Sequence, residues 1–264
     1  MVEKHYARGL NFLGTYTFSR TRSDAGDLLN GGVGEGYRAP SVPAFGIQGD
    51  YRDANFDIRH VFHFSGGYEL PFGPGKQFLP NATGIEKHIV GGWSMQWIAT
   101  VEGGQPVTIG CNTGTSNGLG CNALLVSGQS LYTNKEPPNG MWNAAAFTQP
   151  CNPDTGGPVG CVSLTGLGLL GGAPTQVRGP GLSRFDYSLF KDFQLSEKFR
   201  LQFRSEFFNI LNHPTFNPPN LGGNGVVAIP GSGDFLNPNF GKSGGTRFRP
   251  YDPRQIQFAL KLLF

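Results

Sequence analysis

The sequence is short of charge, has no long apolar run and lacks the close cysteine spacing of metal sites. Each absence removes a class of protein. Charged residues make up 15% of 264, against about 25% in average soluble chains. The net charge of +3 is too mild to argue for a polyanionic partner. No basic run is interleaved with aromatics, so nucleic acid is not an expected partner. No apolar stretch reaches the roughly 18 residues of a membrane helix. That excludes a helical span only: membrane strands alternate, and their average comes out near neutral, like the mean hydropathy of −0.25 here. The segment Met1-Val-Glu-Lys-His-Tyr-Ala-Arg8 lacks the apolar centre of a secretory signal. Two expectations remain, a cytosolic protein or a chain in which Met1 is an internal or truncated start.

Chemistry is also sparse. No nucleophile–base–orienter set and no paired-carboxylate cleft can be picked out, so an enzyme is not expected. Cys111, Cys121, Cys151 and Cys161 fall into two pairs ten apart, wider than the spacing of zinc ligands. Two loop-closing disulfides, 111–121 and 151–161, are the economical reading among the three pairings that four cysteines allow. His60 and His63 stand three apart on an expected strand, hence on opposite sides, and cannot share a metal. The glycine-rich Gly73-Pro-Gly-Lys76 and Gly222-Gly-Asn-Gly225 lack the strand–loop–helix setting of phosphate loops. Neither metal nor cofactor is expected.

What the sequence does have is glycine (41), proline (20) and phenylalanine (22), the composition of aromatic strands joined by many turns. The C-terminal stretch Arg254-Gln-Ile-Gln-Phe-Ala-Leu-Lys-Leu-Leu-Phe264 shows the pattern best. Ile256, Phe258, Leu260, Leu262 and Phe264 share one side of an extended strand, and Gln255, Gln257, Ala259 and Lys261 share the other. Alternation over residues 9–21, 57–70, 93–105, 184–193 and 199–211 adds five more strands to 254–264, about six in all. A soluble β-sandwich and a membrane barrel both use such strands.

Connection lengths favour the barrel. Residues 22–57, 106–182 and 212–253 are long and irregular, 71–92 moderate, and 194–198 short. Outer-membrane barrels alternate short periplasmic turns with long external loops. Strands of about ten residues, rising ~3.3 Å each with ~45° tilt, span the apolar band of an outer membrane. This arrangement gathers Tyr68, Trp93, Phe193, Phe199 and Phe264 at the periplasmic rim. It also turns Gln96, Glu102, Asp186, Asp192, Arg200, Arg204, Glu206 and Lys261 towards the interior, either as a polar wall for a plug or substrate or as paired charges that keep the lumen wet. The expected fold class is therefore all-β, an antiparallel up-and-down transmembrane β-barrel, present here as a partial barrel with long extracellular loops.

Several segments carry a family resemblance: Asp57-Ile-Arg-His60, Tyr68-Glu-Leu-Pro-Phe-Gly73, Gly91-Gly-Trp93, Gly103-Gly-Gln-Pro-Val107 and Asp186-Tyr-Ser-Leu-Phe-Lys-Asp-Phe193. To these add Phe199-Arg-Leu-Gln-Phe-Arg-Ser-Glu-Phe-Phe-Asn-Ile-Leu-Asn-His-Pro214 and Pro253-Arg-Gln-Ile-Gln-Phe-Ala-Leu-Lys261. Together they resemble the C-terminal barrel of a TonB-dependent outer-membrane receptor of the Oar-like type, which carries a carboxypeptidase-regulatory-like domain. Residues 184–215 are the most specific part. The resemblance implies a signal peptide, a plug and a barrel of about 22 strands, so this chain reads as the last quarter or so of one. It further implies location in the cell outer membrane of a Gram-negative-type bacterium. The implied partners are outer-membrane lipid, a TonB-type energy-transducing complex acting through the missing plug, an unknown extracellular ligand, and the barrel-assembly machinery, which reads the terminal Phe258, Leu260, Leu262 and Phe264. Alone, with two unpaired sheet edges, such a piece is expected to aggregate or fail to insert. The alternatives are a surface adhesion or structural barrel without transport, and a secreted soluble β-sandwich that binds carbohydrate.

Overall fold

The structure is a computed structural model that describes residues 1–24, 47–111, 121–151, 156–157, 160–163, 171, 175–219, 235–247 and 253–264. Parts of the three long connections, and Gly222-Gly-Asn-Gly225, lie outside the described residues.

One antiparallel sheet dominates. Its seven strands are β1 (Val2–Ala7), β2 (Leu10–Phe18), β3 (His60–Glu69), β4 (Trp93–Glu102), and then, beyond the short strands of the connection between them, β8 (Leu182–Gln194), β9 (Arg200–Phe208) and β10 (Gln255–Leu263). Spatial order follows chain order, each strand pairing with the next. This is an up-and-down sheet, and it is open: β1 pairs only with β2, and β10 only with β9.

Strand β1 is a correction to the six expected segments. It joins β2 through Arg8 and Gly9, whose φ angles of 53° and 82° are both positive. Two left-handed residues form the two-residue hairpin turn that matches strand twist. A side chain at Gly9 would start 2.9 Å from the Glu69 carbonyl, so a glycine is required. Strand limits also differ: β3 starts at His60 and not at 57, β4 ends at Glu102, β8 begins at Leu182, and β9 ends at Phe208.

Register keeps each side of the sheet coherent. One row runs Phe12, Gly66, Trp97, Tyr187, Phe207, Ile256 through six strands. Its neighbour across the pleat runs Asn11, Gly67, Gln96, Ser188, Glu206, Gln257. A slip of one residue anywhere would exchange the two sides. On the apolar side Phe12 meets Phe64, and Phe64 meets Trp97, each pair 5.9 Å between ring centroids. A Cβ at Gly66 would lie 2.6 Å from the Trp97 ring, so this glycine leaves room for the indole. Among the described residues only the end of the 71–92 connection, beside Trp93 and Lys191, lies against this side. Phe258 and Leu260 are 65% and 70% exposed, although Phe203 and Phe258 stack at 6.1 Å.

The buried core lies elsewhere, within the connections expected to be irregular. That expectation is corrected for residues 106–182. Strand β5 (Pro106–Cys111) runs between β6 (Cys121–Asn122) and β7 (Thr175–Arg178). Around them cluster Val107, Ile109, Ala123, Trp142, Ala146, Phe147 and Val177, with Phe235 and Phe240 arriving from the 212–253 connection. The Phe147 and Phe240 rings meet edge to face at 5.6 Å. Two long connections thus fold into one cap at one end of the sheet. Among the described residues, the opposite end carries the Arg8–Gly9 turn, the 71–92 connection with helix α1 (Gly84–Val90), and the turn from 195 to 199.

Candidate functional site

An open trough of about 700 Å³ lies against β1, β2, β3, β4 and β8. Its lining draws on both sides of the pleat: Asn11, Ser65, Gln96, Asp186 and Ser188 come from one, Phe12, Gly66 and Trp97 from the other, and Glu3 to Tyr6 of β1 stand beside them. Such a surface offers hydrogen-bonding groups beside apolar ones.

A ladder of side chains continues along the polar side. Asp192 accepts from Gln202 Nε2 at 2.9 Å and stands 3.7 Å from Arg200 Nη1. Arg204 Nε donates to Gln202 Oε1 at 2.6 Å, and its guanidinium lies 5.6 Å from the Phe190 ring centroid. Asp186 accepts from Arg184 Nε at 3.0 Å and from the Asn209 backbone N–H at 2.7 Å. Glu206 lies opposite Ser188 and Gln257 in register, and Lys261 opposite Gln202. Glu102 ends β4 at the cap end, opposite Val61 and Leu182. Phe258, Leu260, Leu262 and Phe264 are all exposed on the other side or beyond its end. His60 and His63 do part company: His60 Nδ1 meets Tyr16 Oη at 2.7 Å, and His63 Nδ1 meets Thr100 Oγ1 at 3.2 Å. Among the described residues no three His, Cys, Asp or Glu side chains gather as a metal site would need.

Cap and sheet are joined by a cluster of charges that alternation does not reveal. Arg178, ending β7, donates from Nη2 to Asp53 Oδ2 at 2.7 Å and to Asp57 Oδ2 at 2.6 Å, and from Nη1 to the Asp57 carbonyl at 2.9 Å. Arg59 Nη2 reaches Asp53 Oδ2 at 2.6 Å, and Arg20 Nε reaches Asp53 Oδ1 at 2.8 Å. The Asp57 side chain is fully buried, and a buried charge persists only when paired. Burial works against the charged form of Asp53, but the Arg20 and Arg59 hydrogen bonds outweigh it and hold its carboxyl below the ordinary range. The signal for this cluster in the sequence is faint: in a chain with so little charge, Asp57-Ile-Arg59 places opposite charges two apart, just before β3.

Lys191 was likewise not anticipated. It stands on the apolar side of β8, opposite Trp93 and Phe203, and is buried. Its ammonium donates to the Gly91 carbonyl and lies 5.4 and 4.9 Å from the ring centroids of Trp93 and Phe193, positions in which the rings' π faces attract a cation.

Within the cap, Cys151 and Cys161 form a disulfide. Cys111 is disulfide-bonded as well. Residue 121 lies opposite it in register, while the Cys121 side chain lies outside the described residues.

The family model for the outer membrane beta barrel domain matches residues 1–257. No curated protein and no solved structure matches the chain.

Proposed function

The chain belongs to the outer membrane beta barrel domain family, and from that premise we propose that its sheet is part of the wall of a TonB-dependent receptor. As an outer-membrane protein it has lipid for one solvent, and the exposed apolar side of the sheet suits lipid. The polar side then faces a wet lumen, and the cap stands outside the cell. Inside hydrocarbon each unpaired backbone group costs several kcal/mol, so the free edges of β1 and β10 call for further strands that complete a larger barrel.

The observation that carries the transport reading is a trough with hydrogen-bonding groups in a sheet that also bears a folded cap. A wall that only anchors a surface structure has no need of a hydrogen-bonding lumen linked to an external cap. Oligosaccharides, peptides and chelated metals are the substrate classes that suit such a surface, and loops carry specificity more often than walls do. The plug and the energy-transducing complex enter through the resemblance of residues 184–215, and the assembly machinery through the terminal pattern at Phe258–Phe264. A non-transporting adhesin draws support from one specific feature: the cap has its own core and disulfide, enough to act as a binding module.

Uptake assays separate the two. Cells producing the complete barrel that contains this sheet are offered labelled oligosaccharides, peptides and ferric chelates, with and without a protonophore. Uptake that stops with the protonophore, and also stops when residues 106–182 are deleted, is the expected result. Surface binding without any energy-dependent uptake would leave the adhesin.

A further inference from the structure

The 71–92 connection ends in a feature that a simple turn does not need. Helix α1, Gly84–Val90, is too short to be stable by propensity alone. Ile85 and Ile89, four apart and so on one face, are 79% and 63% exposed. Lys87, two residues from each, points the opposite way. In water this arrangement leaves two large aliphatic side chains mostly exposed.

The tethers of the helix show on which side of the sheet it ends. Trp93 Nε1 donates to the Ile89 carbonyl at 2.8 Å, and the Lys191 ammonium donates to the Gly91 carbonyl just beyond the helix. Both donors stand on the apolar side of the sheet, opposite one another in register. The last carbonyls of a helix lack internal partners, and a cation beside them is favourable. Lys191, the charge that breaks the apolar side of β8, is thereby accounted for: it holds the end of α1 against that side.

We propose that α1 is an interfacial foot. It lies in the boundary between headgroups and acyl chains of the leaflet at the short-connection rim, with Ile85 and Ile89 among the acyl chains and Lys87 among the headgroup phosphates. The occupant is phospholipid, because the helix continues a surface that already faces lipid. An amphipathic segment with aliphatic residues on one face and lysine on the other is the composition of membrane-surface helices. The inference rests on the membrane reading of the sheet.

Spin labelling tests both together. Nitroxides are placed one at a time through Ile85→Cys, Ile89→Cys, Lys87→Cys and Phe258→Cys in the full chain, in isolated outer membranes. Ile85 and Ile89 are mostly exposed, so these substitutions leave the fold intact. Collision with oxygen, which concentrates in lipid, is compared with collision with a water-soluble nickel chelate. The labels at 85 and 89 are expected to match the label at 258, favouring oxygen several-fold over the label at 87. Labels at 85 and 89 as open to the chelate as that at 87, with 258 still lipid-like, would overturn the foot and spare the barrel. A chelate-accessible label at 258 would overturn both.

Discussion

Trp142 in the cap is 2% exposed, and Phe258 in the sheet is 65% exposed. The difference holds for whole regions. The cap buries its aliphatic and aromatic residues against one another, as a water-soluble domain must. The sheet buries almost none: its backbone is satisfied by six strand pairings, while its apolar side waits for a non-aqueous solvent. The lesson is that one chain contains two folding problems. The cap is held by packing and the sheet by hydrogen bonding in lipid, where side-chain burial between protein groups contributes little.

The sharpest way to break this contrast is Trp142→Ala. Truncating a buried aromatic costs about 4 kcal/mol, and here it also removes the indole N–H donated to the Arg178 carbonyl at 3.1 Å. Hydrogen exchange is expected to rise throughout residues 121–147 and to stay unchanged in β9 and β10. Equal loss in both regions would mean that they fold as one unit.

Arg178→Ala comes next, at about 3 kcal/mol, because it leaves the buried Asp57 carboxylate without its closest cation, with the Thr21 backbone N–H at 2.6 Å remaining. The expected result is a cap that keeps its core but undocks, seen as new protease cleavage near residues 103–105 and 179–181. Acid acts on the same joint. The Asp53 carboxyl is held below its ordinary range, so its contribution is complete above the usual carboxylate pKa of about 4. That contribution fades as pH falls through the lowered value. Protease sensitivity is therefore expected to appear only in strongly acidic buffer, and undocking near neutral pH would contradict the assignment.

Reducing Cys151–Cys161, which are ten residues apart, is expected to cost the cap about 2.5 kcal/mol through lost loop closure. The melting of the cap, followed by Trp142 fluorescence, reads this directly. Phe258→Lys acts on the other region: a lysine on the lipid side costs about 2 kcal/mol near mid-membrane. The expected sign is lower heat resistance of the membrane-extracted protein with no change in cap protease resistance. Lys261→Ala, on the exposed polar side, is expected to stay within about 0.5 kcal/mol. A larger loss would point to a specific partner for Lys261.

How much was legible follows the same division. In β10 the apolar residues recur at every second position, and in β9 only Ser205 interrupts them, so the two sides and approximate limits of these strands could be read from the sequence. In Val2–Ala7 the alternation is interrupted by a register irregularity between Lys4 and Ala7, and the strand went unseen. In the cap, Ile109, Trp142, Phe147 and Phe235 are separated by glycine, proline and asparagine, in strands as short as two residues. No period connects them. Lys191 broke the apolar pattern of β8 with no hint of the carbonyl that receives it, a hundred residues away in sequence.

Sequence by itself determined the two-sided sheet, because a strand's side chains alternate whatever surrounds them, and counting by twos shows which side wants lipid. Only the tertiary structure decided that the long connections share a core, that Arg178 docks it onto the Asp53 and Asp57 carboxylates, and that Lys191 secures a helix at the far rim. Those contacts join residues far apart in the chain. Their energy depends on burial and distance, which no local pattern records.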